Sequence, residues 1–150
     1  MNRSVTALIV AVLMVVSTVV GGQALSFGKY EKVKAENGTV SIALSKVSNG
    51  KAHFFKFADN GKEIAFFVVK ASDGSLRVAF DACDACYRDK KGYEQQGDKM
   101  NCRNCNQKFA INRLGPNVSG GCNPGYLPGR TSGSAVVIKA DDLKQGARYF

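Results

Sequence analysis

Four of the five cysteines stand in two Cys-x-x-Cys pairs, Cys83/Cys86 and Cys102/Cys105, with fifteen residues between the pairs. Thiols at i and i+3 point at one ion when the backbone between them makes a tight knuckle. Two such knuckles supply four sulfurs in a tetrahedron, and this spacing is that of many four-thiolate sites. The pattern predicts a metal site built from Cys83, Cys86, Cys102 and Cys105, and leaves the metal itself open. The residue after a knuckle's second thiol often needs a positive φ. Asn106 tolerates that conformation better than Tyr87 does, which makes the second pair the better match. Arg88, Lys90, Lys91, Arg103 and Lys108 lie close in sequence and would favour the thiolate form. A fifth cysteine, Cys122 in "GGCNPG", is expected behind the site or as an alternate ligand.

Other chemistries fare worse. Covalent c-type haem needs Cys-x-x-Cys-His, and here Tyr87 and Asn106 hold the fifth place. His53 is the sole histidine and sits in a Phe-rich run, as a half-buried strand residue would. No Ser-His-Asp arrangement or phosphate loop is visible, so no catalytic residue and no small-molecule substrate is expected. Asp81 and Asp84 flank Cys83, where they could accept from knuckle N–H groups or tune the site from behind. Disulfides within or across the pairs are the competing structural reading. The odd fifth thiol argues against a purely structural disulfide framework.

The elements that must position these thiols are mainly strands. Asn37-Gly38, Asn49-Gly50, Asn60-Gly61 and Asp73-Gly74 punctuate the chain at spacings of eleven to thirteen residues, and such pairs suit tight hairpin turns. The runs 39–47, 51–58, 62–70 and 75–81 between them alternate in polarity or, at 62–70, are apolar on both faces like a central strand. An antiparallel meander closing toward a small barrel or sandwich is expected. A loop-rich cysteine module at 81–128 follows it, with 108–111 as a short strand. A strand at 134–140 comes next, then a short C-terminal helix over 141–150 with Asp141 as N-cap.

The chain has 150 residues and a formal charge of +9. Its N-terminus carries Arg3, an apolar run from Val5 to Val20, and small residues at Gly21, Gly22 and Ala24. That order is a secretory leader, with cleavage expected after Ala24, or else an uncleaved anchor. Residues 25–150 then form a single metal-binding domain, large enough for one hydrophobic core. An exported chain excludes nucleic acid as a partner. It is expected in the periplasm or on the outer face of the inner membrane. The scattered basic residues read as a solvated surface or as a docking face for an acidic protein or lipid headgroups.

The stretch "DGSLRVAFDACDACY", with "KKGY", "NCRNC", Phe109 and "GGCNP", resembles the FtrD-like membrane iron–sulfur family. The resemblance covers about residues 50–150. Asn106 stands where that family usually has Gly, a mild departure because both residues accept a positive φ. Many such proteins carry this domain after several membrane spans, whereas this chain is expected to be a stand-alone soluble form. The resemblance implies an iron–sulfur or related metal site at Cys83, Cys86, Cys102 and Cys105, with Cys122 matching the last motif. It further implies a link to iron transport or respiratory electron transfer, and a membrane-bound redox or metal-transport partner. The leader has one arginine and no twin-arginine pair, the mark of a route that exports unfolded chains. A cluster would then be assembled after export. An iron–sulfur cluster, mononuclear iron and zinc all remain open, as does a thiol–disulfide or copper-handling role.

Overall fold

A computed structural model describes residues 28–118 and 120–150. The expected leader, its cleavage point and Arg3 lie outside the described residues. No described helix is long and apolar enough to cross a membrane.

The chain is mainly β, in three sheets. The central one has strand order β1 (Tyr30–Val33), β3 (His53–Asp59), β4 (Lys62–Lys70), β5 (Leu76–Phe80). Its last three strands are the expected meander, antiparallel and consecutive. Asn60-Gly61 joins β3 to β4 with φ of 46° and 79°, the two left-handed residues a tight hairpin of this kind requires. β1 adds to β3 in parallel, a strand the alternation did not announce.

The run 39–47 departs from expectation. Only β2 (Thr39–Ala43) is extended, and it leaves the meander to pair with β10 (Ala135–Lys139) in a second sheet of order β2-β10-β9, with β9 at Arg130–Ser132. Leu44–Val47 turns into a single helical turn, α1. The third sheet, order β6-β7-β8, joins Tyr93–Gln96, Lys99–Cys102 and Lys108–Ala110. Its first two strands fall where the sequence predicts loop. No sheet among the described residues closes into a barrel.

The layering follows from β4. Ile64, Phe66 and Val68 face one way and pack with Val40, Ile42, Val136 and Ile138 of the second sheet. Phe67 and Val69 face the other way and pack with Tyr93, Met100 and Cys102 of the third. A strand apolar on both faces is what a middle layer demands. The C-terminal helix α2 (Ala140–Gln145) buries Leu143 in the first core. Its N-cap is Lys139, without a side-chain cap bond. Asp141 instead lies in the first turn, where its charge still favours the helix N-terminus.

Candidate metal centre

Three chain segments meet on the outer side of the second core. The first leaves β5 at Phe80 and carries Cys83 and Cys86. Its turn is closed by Tyr87 N–H donating to the Cys83 carbonyl at 3.1 Å. Cys86 N–H donates to Cys83 Sγ at 3.2 Å. Residues Tyr87–Asp89 then wind into a 3-10 turn ending on Lys90 at φ 51°. The left-handed residue therefore comes later than in the second knuckle, as a bulky Tyr87 dictates.

The second segment leaves β7 at Cys102. Asn106 N–H donates to the Cys102 carbonyl, and Cys102 N–H to the Gln107 carbonyl, both at 2.9 Å. Asn106 takes φ 59°, as the sequence predicted for this pair. The third segment brings Cys122. It is stitched to the first by Ala85 N–H to the Gly121 carbonyl at 3.1 Å and by Gly125 N–H to the Ala82 carbonyl at 2.9 Å. Asn104 donates to Asp89 at 2.7 Å, tying the two knuckles directly.

The five sulfurs fall into two groups of three. Cys83, Cys86 and Cys122 lie within 4.8 Å of one another, as do Cys86, Cys102 and Cys105. Cys86 belongs to both groups and stands 3.6 Å from Cys122. The two Cys-x-x-Cys pairs thus converge through Cys86, and Cys122 joins the first of these groups. Among the described residues no histidine or carboxylate joins either group. His53 lies in β3 and contacts Asn49; burial, with Lys46 nearby, holds its pKa below the ordinary value.

Burial grades the thiols. Cys83 and Cys102 are buried, Cys86 and Cys122 half-buried, Cys105 exposed. Burial pushes the Cys102 thiol up to about 11, against the pull of the Cys105 and Asn104 backbone N–H groups. Cys105 is held down to about 7, first by the Gln107 N–H and further by its thiol neighbours. Its neighbour Cys122 is pushed up in turn, chiefly by its bond with Cys105. N–H groups aimed at sulfur stabilise the thiolate form, the form that binds metal.

Tyr93 is a site residue that sequence reading missed. Its N–H donates to Asp81 Oδ1 at 2.6 Å, and its hydroxyl donates to the Cys122 carbonyl. Burial and the adjacent Cys83 thiol push the phenol well above its ordinary pKa, so it remains a donor. Asp81 is buried and also accepts from Lys29 Nζ and the Tyr30 hydroxyl, each at 2.6 Å. Burial pushes the Asp81 carboxyl up and the Lys29 ammonium down, each opposed by the attraction of the other. Asp81 therefore does not bond the knuckle N–H groups; it holds Tyr93, and through it the Cys122 loop. Asp84 faces away and accepts from the Tyr149 hydroxyl at 2.9 Å. "KKGY" was the available signal, since Gly92 at φ 63° lets β6 approach the Asp81 carboxylate. A cavity of about 560 Å³ borders Cys83, Cys86 and Cys102 and is walled by Tyr30, Tyr87 and Tyr149.

Fold and site together define a small, mostly β protein built around a cysteine cluster fit to hold metal. The chain belongs to the FtrD-like family of membrane iron–sulfur containing proteins, whose model matches residues 47–150. No curated protein matches it. Among solved structures, it is similar to the quaternary ammonium Rieske monooxygenase CntA in complex with an inhibitor. That likeness is slight, with 15% identity and a TM-score of 0.44. It covers 67% of this chain and spans 30% of that one.

Proposed function

We propose that this protein is an extracytoplasmic metal–thiolate protein, holding iron or an iron–sulfur cluster, that carries electrons for an iron-transport or respiratory system. The single observation that carries the reading is the convergence of two separate knuckles on Cys86, which groups with Cys83 and Cys122 and also with Cys102 and Cys105, in a family described by its iron–sulfur content. The donor set fits: four cysteine thiolates are the usual ligands of an iron–sulfur cluster. Cys83, Cys86, Cys102 and Cys105 would hold the group, with Cys122 beside them. Bound there, iron supplies reversible one-electron transfer.

The chain's own residues do the rest. N–H groups of Cys86, Asn104, Cys105 and Gln107 point at sulfur, an arrangement that stabilises added electron density there and raises a reduction potential. Phe67, Met100 and Tyr93 back the cluster with apolar surface and keep water from its inner side. The exposed Cys105 leaves one edge open toward a partner. Arg88, Lys90, Lys91 and Arg103, all exposed around that edge, suit an acidic docking face on a membrane-bound redox or metal-transport protein.

A structural zinc reading has one observation in its favour, the burial of Cys83 and Cys102 in the second core, where an ion would staple loops to the sheet. Potentiometric titration of anaerobically purified protein separates the two. The electron-carrier reading predicts iron in the protein and a reversible one-electron transition in its visible absorption. Colourless protein containing zinc, with no redox transition, would overturn it.

A further inference from the structure

Two residues from outside the family stretch 47–150 reach the residues behind the metal centre. Lys29 and Tyr30, at the entry to β1, both meet the Asp81 carboxylate. That carboxylate is fully buried, and the Lys29 side chain is only 27% exposed. Lys29 Nζ donates to Asp81 Oδ2 at 2.6 Å and to the Tyr93 carbonyl at 2.8 Å. The ammonium also stands 4.1 Å from the centre of the Phe54 ring and 4.8 Å from that of Tyr30, where aromatic faces attract a cation. Its two hydrogen-bond acceptors lead to all three thiol-bearing segments. Asp81 precedes Cys83 in the first knuckle segment. Tyr93 is the β-ladder partner of Cys102, and its hydroxyl donates to the Cys122 carbonyl.

We propose that Lys29 is a positioning residue of the metal centre: its ammonium bridges Asp81 and Tyr93 and so fixes the spacing between the two knuckles and the Cys122 loop. The inference rests on the preceding reading only in that the thiols hold metal. An exposed ion pair would contribute little. Here the carboxylate is buried, so removing the cation leaves a buried charge short of its partner. A methionine at position 29 would keep the apolar contact with Phe54 and make neither bond. Asp81 would then be held by the Tyr30 hydroxyl and the Tyr93 N–H alone. β6 would be freed to shift against the exit of β5, and Cys102 and the Cys122 loop would shift with Tyr93. Groups that orient the ligands of a metal change its affinity by about 10–100-fold when lost.

The test compares the parent with Lys29→Met, Lys29→Arg and Lys32→Met, all isolated anaerobically. Lys32 is the control, a lysine of β1 whose side chain is 83% exposed. Hydrogen exchange is read at three amides that tie the segments together: Arg103 N–H on the Gly92 carbonyl, Ala85 N–H on the Gly121 carbonyl and Gly125 N–H on the Ala82 carbonyl. Lys29→Met is expected to speed exchange at all three by at least about 10-fold, while Phe66 and Val68 in the first core keep the parent's protection. Its metal is expected to pass to a chelator about 10–100-fold faster. Lys29→Arg keeps the charge and offers both donors, so it is expected to stay within about 3-fold of the parent. Lys32→Met is expected to match the parent. Parent-like exchange at the three amides in Lys29→Met overturns the proposal. So does an equal loss of protection at Phe66 and Val68, which is a general loss of stability, or a Lys29→Arg variant as loose as Lys29→Met. Should Lys29→Met fail to fold, Tyr30→Phe, which removes only the hydroxyl bond to Asp81, decides by the same pattern of exchange. The iron reading fails separately, by the absence of iron and of a redox transition in the parent, where exchange is read all the same.

Discussion

At the scale of single residues, the five thiols are chemically unequal despite their shared neighbourhood. Cys105 is exposed and held down to about 7, whereas the buried Cys102 three residues earlier is pushed up to about 11. Alkylation needs both the thiolate and access to it. In reduced, metal-free protein, iodoacetamide is expected to label Cys105 first. Its labelling rate should rise with pH and reach half its maximum near pH 7, because lowering the pKa makes thiolate available below the ordinary 9.0. Peptide mass mapping after brief labelling checks this. Labelling of Cys102 or Cys83 ahead of Cys105 would contradict the burial gradient. The pairing of the thiols and the left-handed Asn106 were legible in the sequence, because knuckle geometry is local and its spacing is fixed by the backbone. The part played by Cys122 was only half legible. Its closeness to Cys86 depends on where a loop 36 residues away is pinned, and the pins are backbone bonds and the Tyr93 hydroxyl.

Among the elements, the decisive contact is between the β5 exit and β6. Gly92 lets the chain pass the Asp81 carboxylate, and a Cβ built there would stand 2.6 Å from Asp81 Oδ2. Its φ of 63° is also unfavourable for any residue with a side chain. Gly92→Ala is expected to destabilise the protein by about 2–4 kcal/mol, from strain and from disturbing a buried, bonded carboxylate. Urea denaturation measures this, and a loss under about 0.5 kcal/mol, the range of an ordinary surface substitution, would contradict the proposed packing. The meander β3-β4-β5 was readable because Asn60-Gly61 fixes its hairpin and β4 shows two apolar faces. The third sheet was not, because β6 and β7 are rich in Glu, Gln, Lys and Asn, and even the buried Asn101 of β7 is polar. Gly97-Asp98 between them, a two-residue hairpin signal with Gly97 at φ 61°, was the clue available. The departure of β2 to pair with β10 is a contact across most of the chain, which no local pattern announces.

In the molecule as a whole, two cores share one central sheet, and only the second contains cysteines. Metal bound to the native state alone stabilises what it touches by mass action. Removing it with a chelator under reducing conditions is expected to open the third sheet locally. Amides of 99–102 and 108–110 should lose hydrogen-exchange protection by at least about 10-fold, while those of 64–69 in β4 keep theirs, since the first core needs no metal. Uniform loss across both cores would contradict this division. The central claim concerns what the converging thiols hold. X-ray absorption at the metal edge of anaerobically isolated protein tests it most directly. The account predicts a metal with a first shell of sulfur alone at about 2.3 Å, supplied by the cysteines of the two knuckles. Metal-free protein with Cys83–Cys86 and Cys102–Cys105 disulfides, or a first shell of nitrogen and oxygen, would contradict it.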